Sequence, residues 1–437
     1  MTLSEWLERQ ESVHSRSIDL GLERVATVAR ALDIDRPPYR VITVGGTNGK
    51  GSTVAYVEAI LRAAGHRTGS LTSPHLLRYN ERVRLNGAQA CDEALVSAFE
   101  RIERGRGRTT LTFFEYNTLA ALLVFADAAV EVAVLEVGLG GRLDATNVVD
   151  PEVSVVCSVG FDHRDWLGDT LEAIGAEKAG IFRADRPAVL GTAEMPASVY
   201  AAIARLRARP VVAQRDFTWT VAGDRWSYHG LSARLEDLPA PALVGAIQFG
   251  NAATALAAYE SLPGARALTL AQASAALRSV HLPGRFQIVR LPGHGPGDPV
   301  EWILDVAHNE PAAEVLAENL RARPVAGRTY AVCGILNDKD AAAIARMLAT
   351  VCDEWIVCAL PGPRGSTARE LARRLAGTVT APLLADSVDE GCALARARAG
   401  PGDRVVVFGS FVTVGSALQW VGYTEEDTGF RLVREYA

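Results

Sequence analysis

The sequence has no C-x-x-C pair; its six cysteines, Cys91, Cys157, Cys333, Cys352, Cys358 and Cys392, are scattered. Scattered thiols suit a reducing compartment and small buried side chains rather than a disulfide framework. Excess basic charge is missing as well. The 45 Lys and Arg against 51 Asp and Glu leave a net charge of −6, which does not favour nucleic acid or an anionic membrane as a partner. Any anion bound must therefore be held by a local site. Long apolar runs are absent: the stretch Leu119 to Ala126 is too short to span a bilayer, and the first residues lack a signal-peptide pattern. A cytoplasmic chain is expected, with no internal repeat or low-complexity tract, and in the absence of an exposed apolar stripe a monomer.

What is present is length and alternation. At 437 residues the chain exceeds the size at which one core keeps growing, so two domains are expected. Short β-branched runs alternate with Ala/Leu/Glu/Arg-rich helical stretches, the rhythm of a largely parallel α/β sheet. Strands are expected at Arg40 to Val44, Val132 to Val137 and Val153 to Cys157, with a hairpin formed by Thr218 to Val221 and Trp226 to His229. The helical pattern from Leu270 to Leu277 then stops, and a Gly/Pro-rich stretch runs from Pro292 to Pro299. A boundary between residues 1–281 and 282–437 follows. A second α/β series has strands expected at Trp302 to Val306, Thr329 to Cys333, Glu354 to Cys358 and Arg404 to Phe408.

The strand ending at Val44 runs into Gly45-Gly46-Thr47-Asn48-Gly49-Lys50-Gly51-Ser52-Thr53, and a helical stretch follows from Val54 to Ala64. Glycines let backbone N–H groups turn toward phosphate oxygens, the helix N-terminus adds its dipole, and Lys50 adds a full charge. ATP is the expected ligand. The loop departs from the usual G-x-x-x-x-G-K-[ST] form, because Gly51 stands between Lys50 and Ser52.

With that inserted glycine the loop resembles those of the Mur ligase superfamily, and most of all its folylpolyglutamate and dihydrofolate synthases. Further segments carry the resemblance along the chain: Ser73-Pro74-His75-Leu76, Asn80-Glu81-Arg82, Phe113-Phe114-Glu115, Glu136 to Asn147, Asp162-His163 and Glu177 to Ile181. Leu282 to Gln287, Asp305 to Asn309 and Lys339-Asp340 continue it. The resemblance implies a P-loop-containing, mostly parallel sheet domain of the Mur ligase central type, followed by a smaller Rossmann-like α/β domain. ATP would lie in a cleft between them.

Forming an amide from a carboxylate in water requires activation, and ATP supplies it by giving an acyl phosphate. The site must then neutralise triphosphate and carboxylate charge. Lys50 is the first candidate. Glu136, ending a buried apolar strand beside Gly138 to Gly141, is well placed to hold Mg2+. The generic rule gives Ser52 as a further oxygen on that ion; the resemblance implies Ser73 instead, and Ser73 is favoured because Gly51 shifts the usual hydroxyl. Resemblance also makes Glu136, His163 and a carbamylated Lys178 ligands of a second Mg2+. It places Gly46, Thr47, Asn48, Gly49, Lys50, Gly51, Ser52, Asn251, Arg285 and Asp305 on ATP, with Asn251 also readable as a helix cap. His308 is an expected catalytic residue near a glutamate site that includes Ser410.

For the pterin-bearing acceptor the resemblance implies Asp19, Leu20, Gly21, Thr112, Phe113, Phe114, Glu115, Leu143, Asp144 and Ala145. An aromatic such as Phe114 stacks on a flat heterocycle and Asp144 accepts hydrogen bonds from its N–H groups, while Phe113 and Phe114 also read as helix core. The segment Ile18 to Arg24 resembles bacterial enzymes that add L-glutamate to dihydropteroate and then to reduced folates. A bifunctional ligase is therefore expected. The alternatives are a monofunctional folylpolyglutamate synthase, another Mur-type amino-acid ligase, or a P-loop phosphotransferase.

Overall fold

The computed structural model describes residues 1–14, 18–292, 299–426 and 429–432. Apart from its two end residues, the Gly/Pro-rich stretch from Pro292 to Pro299 lies outside them. The chain forms two compact units, one of residues 1–242 and 248–281, the other of 243–247 and 282–437.

The first unit is built on β1 (Arg40–Gly45), β2 (Thr68–Leu71), β3 (Val83–Leu85), β4 (Ala88–Gln89), β5 (Val132–Glu136), β6 (Val153–Val156), β7 (Pro187–Leu190) and β8 (Arg209–Val212). They form one sheet in the order β4-β3-β2-β5-β1-β6-β7-β8. Every pairing from β2 to β8 is parallel, and only β3 and β4 run antiparallel to their neighbours. All of β5 and β6 is buried, as expected of central strands covered by helices on both faces. Helices Lys50–Ala63 and Phe113–Asp127 contribute to that cover.

The helix after the phosphate loop starts at Lys50, four positions before the apolar pattern begins at Val54. Gly49 explains this: its left-handed φ of 84° turns the chain directly into the first helical residue. The strands β7 and β8 escape a pattern reading because each is only four residues long and carries a proline, Pro187 opening β7 and Pro210 lying within β8; a first strand position and an edge strand both tolerate proline. β2 is weak for another reason, since its Gly69 has the Phe125 ring where a Cβ would go. Three strands, β9 (Thr218–Ala222), β10 (Arg225–His229) and β11 (Arg234–Pro239), form a separate antiparallel sheet. The hairpin is the expected one, and β11, half of whose residues are charged, is an addition to it.

In the second unit β12 (Gln287–Leu291), β13 (Val300–Asp305), β14 (Thr329–Cys333), β15 (Glu354–Cys358), β16 (Leu383–Ala385) and β17 (Arg404–Phe408) form a sheet in the order β12-β13-β17-β14-β15-β16. Only β12 is antiparallel. Its core gathers Ile303, Ala331, Val357, Val406 and Phe408 from the strands with Leu316, Ile344 and Leu371 from helices. Among the described residues no helix is long and apolar enough to cross a membrane.

Candidate active site

Parallel sheets offer ligands the carboxyl ends of their strands, and the ends of β1, β5 and β6 lie side by side. Chain leaving β1 passes Gly46 (φ 144°) and Gly49 (φ 84°) before the helix. A Cβ on Gly46 would meet Cys157 and the Ser158 nitrogen, and one on Gly49 would stand 2.8 Å from Asn251 Oδ1. The loop is held from the side: Thr47 N donates to Ser158 O at 2.8 Å and Asn48 N to Ser158 Oγ at 3.1 Å. Gly51 and Ser52 form the first helical turn and are buried. Asn251 does not cap a helix; it lies inside Ile247–Glu260, donating to Gln248 Oε1 at 3.0 Å, with its oxygen turned to Gly49.

Two lysines converge on this loop. Lys50 Nζ donates to the carbonyls of Gly46 (3.0 Å) and Thr47 (3.1 Å), and Lys178 Nζ donates to the same Gly46 oxygen at 3.0 Å. Lys178 ends the helix Leu171–Lys178 and is buried, not the exposed lysine its helical context would suggest. Burial, reinforced by the Lys50 charge, lowers its pKa to about 7.

Glu136, at the end of β5, is 5% exposed and accepts from Ser73 N at 3.0 Å. Near them Arg82 Nε donates to His75 Nδ1 at 2.8 Å, while its guanidinium lies 5.7 Å from the Tyr79 ring centroid and 5.3 Å from that of Phe113. Burial and the Arg82 charge hold His75 down at about 4, so its ring is a neutral acceptor. Arg82 belongs to a segment noted in the sequence but given no role there.

His163 takes a left-handed conformation (φ 51°), its N–H bound to Asp162 Oδ1 at 2.8 Å and its Nε2 3.9 Å from Asp162 Oδ2. Among the described residues no three His, Cys, Asp or Glu side chains converge as a metal set. The expected set draws only Glu136 and His163 from those types, adding a hydroxyl and a lysine. A buried carboxylate presents the hard oxygens Mg2+ prefers, so Glu136 fits that ion, and the bond from Ser73 N sets Ser73 beside it.

Among the residues expected to hold the acceptor and next to them, Asp19, Arg24 and Glu115 form one charged chain. Arg24 reaches Asp19 Oδ2 at 2.9 Å and Glu115 Oε1 at 3.1 Å, and His14 Nε2 lies 3.0 Å from Asp19 Oδ2. Leu20 and Gly21 are half-buried beside them. Thr112 caps its helix in a reciprocal arrangement with Glu115. Phe113 and Phe114 are both half-buried, so neither belongs wholly to the core; the Phe114 ring packs on Gly138. Asp144 is already engaged: Leu139 N donates to it at 2.8 Å, Thr146 N at 3.0 Å and Thr146 Oγ1 at 2.6 Å. Its carboxylate organises the loop carrying half-buried Leu143 and buried Ala145, and burial pushes its pKa up.

In the second unit Asp305 ends β13, accepting from Phe286 N and Ala307 N, each at 2.8 Å. Arg285 lies with its guanidinium 5.2 Å from the Phe411 ring, and His308 Nδ1 is 2.8 Å from Val306 O. Ser410 differs from expectation. It is 2% exposed and caps the helix Phe411–Trp420 by accepting from Thr413 N at 3.0 Å, so its hydroxyl is engaged within the fold.

Two family descriptions match the chain: the Mur ligase middle domain over residues 44–197 and the Mur ligase glutamate ligase domain over residues 284–411. A dihydrofolate synthase/folylpolyglutamate synthase of Escherichia coli K12 is 44% identical over 423 residues, 95% of each chain. The solved structure of E. coli FolC in complex with DHPP and ADP superposes with a TM-score of 0.88 at 43% identity, covering 96% of this chain and 97% of that one. A bifunctional folylpolyglutamate synthase/dihydrofolate synthase with Mn, AMPPNP and L-glutamate bound superposes with a TM-score of 0.86 at 41% identity, covering 96% and 98%.

Proposed function

The chain belongs to the Mur ligase family, among its dihydrofolate synthase/folylpolyglutamate synthases, and from that membership we infer an ATP-dependent ligase that adds L-glutamate to dihydropteroate and to reduced folates. The observation that carries this is 44% identity over 95% of each chain to a synthase of both names, supported by a glycine loop, Gly46 to Gly49, that joins a buried strand to a helix N-terminus. Family membership leaves no place for the phosphotransferase alternative.

A carboxylate oxygen of the acceptor attacks the γ-phosphorus of ATP, ADP leaves, and an acyl phosphate results. The amine of glutamate then attacks the acyl carbon, expelling phosphate and losing a proton. Lys50 and the loop N–H groups that Ser158 does not already hold are proposed to draw charge from the triphosphate as it develops, with Gly46, Thr47, Asn48, Gly49, Gly51, Ser52 and Asn251 shaping its seat. Glu136 and Ser73 would hold one Mg2+, which supplies countercharge to the phosphates. His163 and Lys178 would join Glu136 on a second, with Lys178 carbamylated: at a pKa of about 7 much of its amine is neutral and adds to CO2 with release of a proton. Asp19, Leu20, Gly21, Thr112 to Glu115 and Leu143 to Ala145 are proposed to hold the pterin. From the second unit, Arg285 is proposed for the γ-phosphate, Asp305 for the ribose and His308 for the glutamate step. A cytoplasmic monomer is proposed, with Mg2+ the physiological metal.

The test supplies ATP, Mg2+ and L-glutamate with either dihydropteroate or a reduced folate and reads phosphate release and product mass. One glutamate added to each acceptor is expected. Turnover of only one would reduce the enzyme to a monofunctional synthase, and turnover of neither would remove the folate reading.

A further inference from the structure

Arg82 is 8% exposed, and among the described residues no carboxylate is recorded within ion-pair distance of it, although the more distant Glu81 and Glu136 charges favour its cationic form. Its Nε donates to neutral His75, and the Tyr79 and Phe113 rings pack against its planar head. Hydrogen bonds from its two terminal nitrogens are not formed within the described protein. A buried guanidinium held this way is costly unless an anion completes it, and its planar fork matches a carboxylate in bidentate fashion.

Its place narrows which anion. On one side, Phe113 belongs to the segment proposed for the pterin. On the other, Thr72 N donates to the Arg82 carbonyl at 2.8 Å, next to Ser73, whose own N–H holds Glu136. Arg82 therefore lies between the aromatic segment and the carboxylate proposed for metal. An acceptor with its heterocycle at the first and its reacting end toward the second carries a carboxylate past this point.

We propose that Arg82 binds the carboxylate of the pteroyl acceptor that undergoes activation, orienting one oxygen toward the γ-phosphate. The proposal rests on the pterin-acceptor reading above. It makes Arg82 a substrate-binding residue that reads charge at one end of the acceptor, independent of pterin recognition at the other.

The experiment measures binding of dihydropteroate and of its neutral carboxamide, with ADP and Mg2+ present, to wild type, Arg82→Gln and Arg82→Lys. ADP affinity of each variant serves as the check on folding. Wild type is expected to prefer the acid by about 10- to 100-fold, the range for hydrogen bonds to a charged group. Arg82→Gln should bring that ratio close to one with ADP affinity kept, and Arg82→Lys should leave an intermediate ratio. A ratio unchanged in Arg82→Gln overturns the proposal, as does an effect confined to nucleotide affinity, which would assign the guanidinium to phosphate. Should Arg82→Gln fail to bind ADP, Arg82→Lys decides: a ratio equal to wild type's overturns the proposal. Equal binding of acid and amide by wild type removes the proposal and leaves the acceptor reading standing; binding of neither removes both.

Discussion

At the carboxyl end of the first sheet, Lys50 and Lys178 converge on one carbonyl oxygen and a guanidinium is buried against aromatic rings. At the same end of the second sheet, the polar groups are answered locally: Asp305 by two backbone N–H groups and Ser410 by Thr413. The first edge gathers two lysines and a buried guanidinium among the carboxylates Glu136, Asp144 and Asp162. The second sets those capped groups beside Arg285, whose guanidinium lies against the Phe411 ring, and His308. An ATP-dependent ligation needs cationic groups where triphosphate and carboxylate meet; on the proposed assignment Lys50 and Arg82 of the first unit supply most of them and Arg285 of the second adds one at the γ-phosphate.

Removing charge from the first edge should have the largest effect. Lys50→Ala is expected to lower kcat about 10²- to 10³-fold, the range for loss of one preorganised electrostatic contact, with thermal unfolding nearly unchanged. Parallel phosphate-release assays and melting curves check this. A residual rate near that of wild type would remove Lys50 from charge stabilisation and weaken the contrast between the two edges.

Lys178 tests the cost of that concentration. Its folded pKa of about 7 lies below the ordinary 10.5, so between those values the unfolded chain binds the proton that the folded one does not. Stability from this group is therefore full above about 10.5 and is lost as pH falls toward 7. In CO2-free buffer without ligands, Lys178→Met should flatten the rise of stability with pH across that window and raise the melting temperature near pH 7 by a few °C, while abolishing ligation. In wild type, activity should fall below about pH 7 and recover in part with added bicarbonate, since only the neutral amine forms a carbamate. A melting temperature unchanged by Lys178→Met at pH 7 would show that its burial is not strained.

Much of this was legible in the sequence, and unevenly. The strands at 329–333, 354–358 and 404–408 were readable to the residue because they are apolar runs buried on both faces. β7, β8 and β11 were not, because proline or polar residues break the pattern that burial imposes elsewhere. At the site, local motifs pointed to the loop and to Glu136, whose partners lie close in sequence or at neighbouring strand ends. The sharing of Gly46 O by Lys50 and Lys178 was hidden, since it joins residues 132 positions apart. So was the inward turn of Ser410, because a serine before a helix reads equally as cap or ligand contact.

Gly49→Ala addresses the geometry of the loop rather than its charge. A left-handed φ costs a non-glycine residue about 1–2 kcal/mol, and the new Cβ would stand 2.8 Å from Asn251 Oδ1. Weaker ADP binding by roughly 10-fold or more is expected, measured by calorimetry. An affinity equal to that of wild type would mean that the loop reshapes itself on the nucleotide.

Ser410→Ala gives the smallest expected effect and the sharpest view of the second edge. The hydroxyl accepts from Thr413 N and lies against Thr413 Oγ1 at 2.7 Å, and it is almost fully buried. Removing a serine cap costs about 1 kcal/mol, so the melting temperature should fall by a few °C while kcat and the KM for glutamate stay within about 2-fold, because the lost bonds lie inside the fold. Steady-state kinetics with glutamate varied, beside a melting curve, separate the two roles. A large rise in the glutamate KM without loss of stability would place Ser410 on the ligand after all, and the second edge would then share the chemistry assigned here to the first.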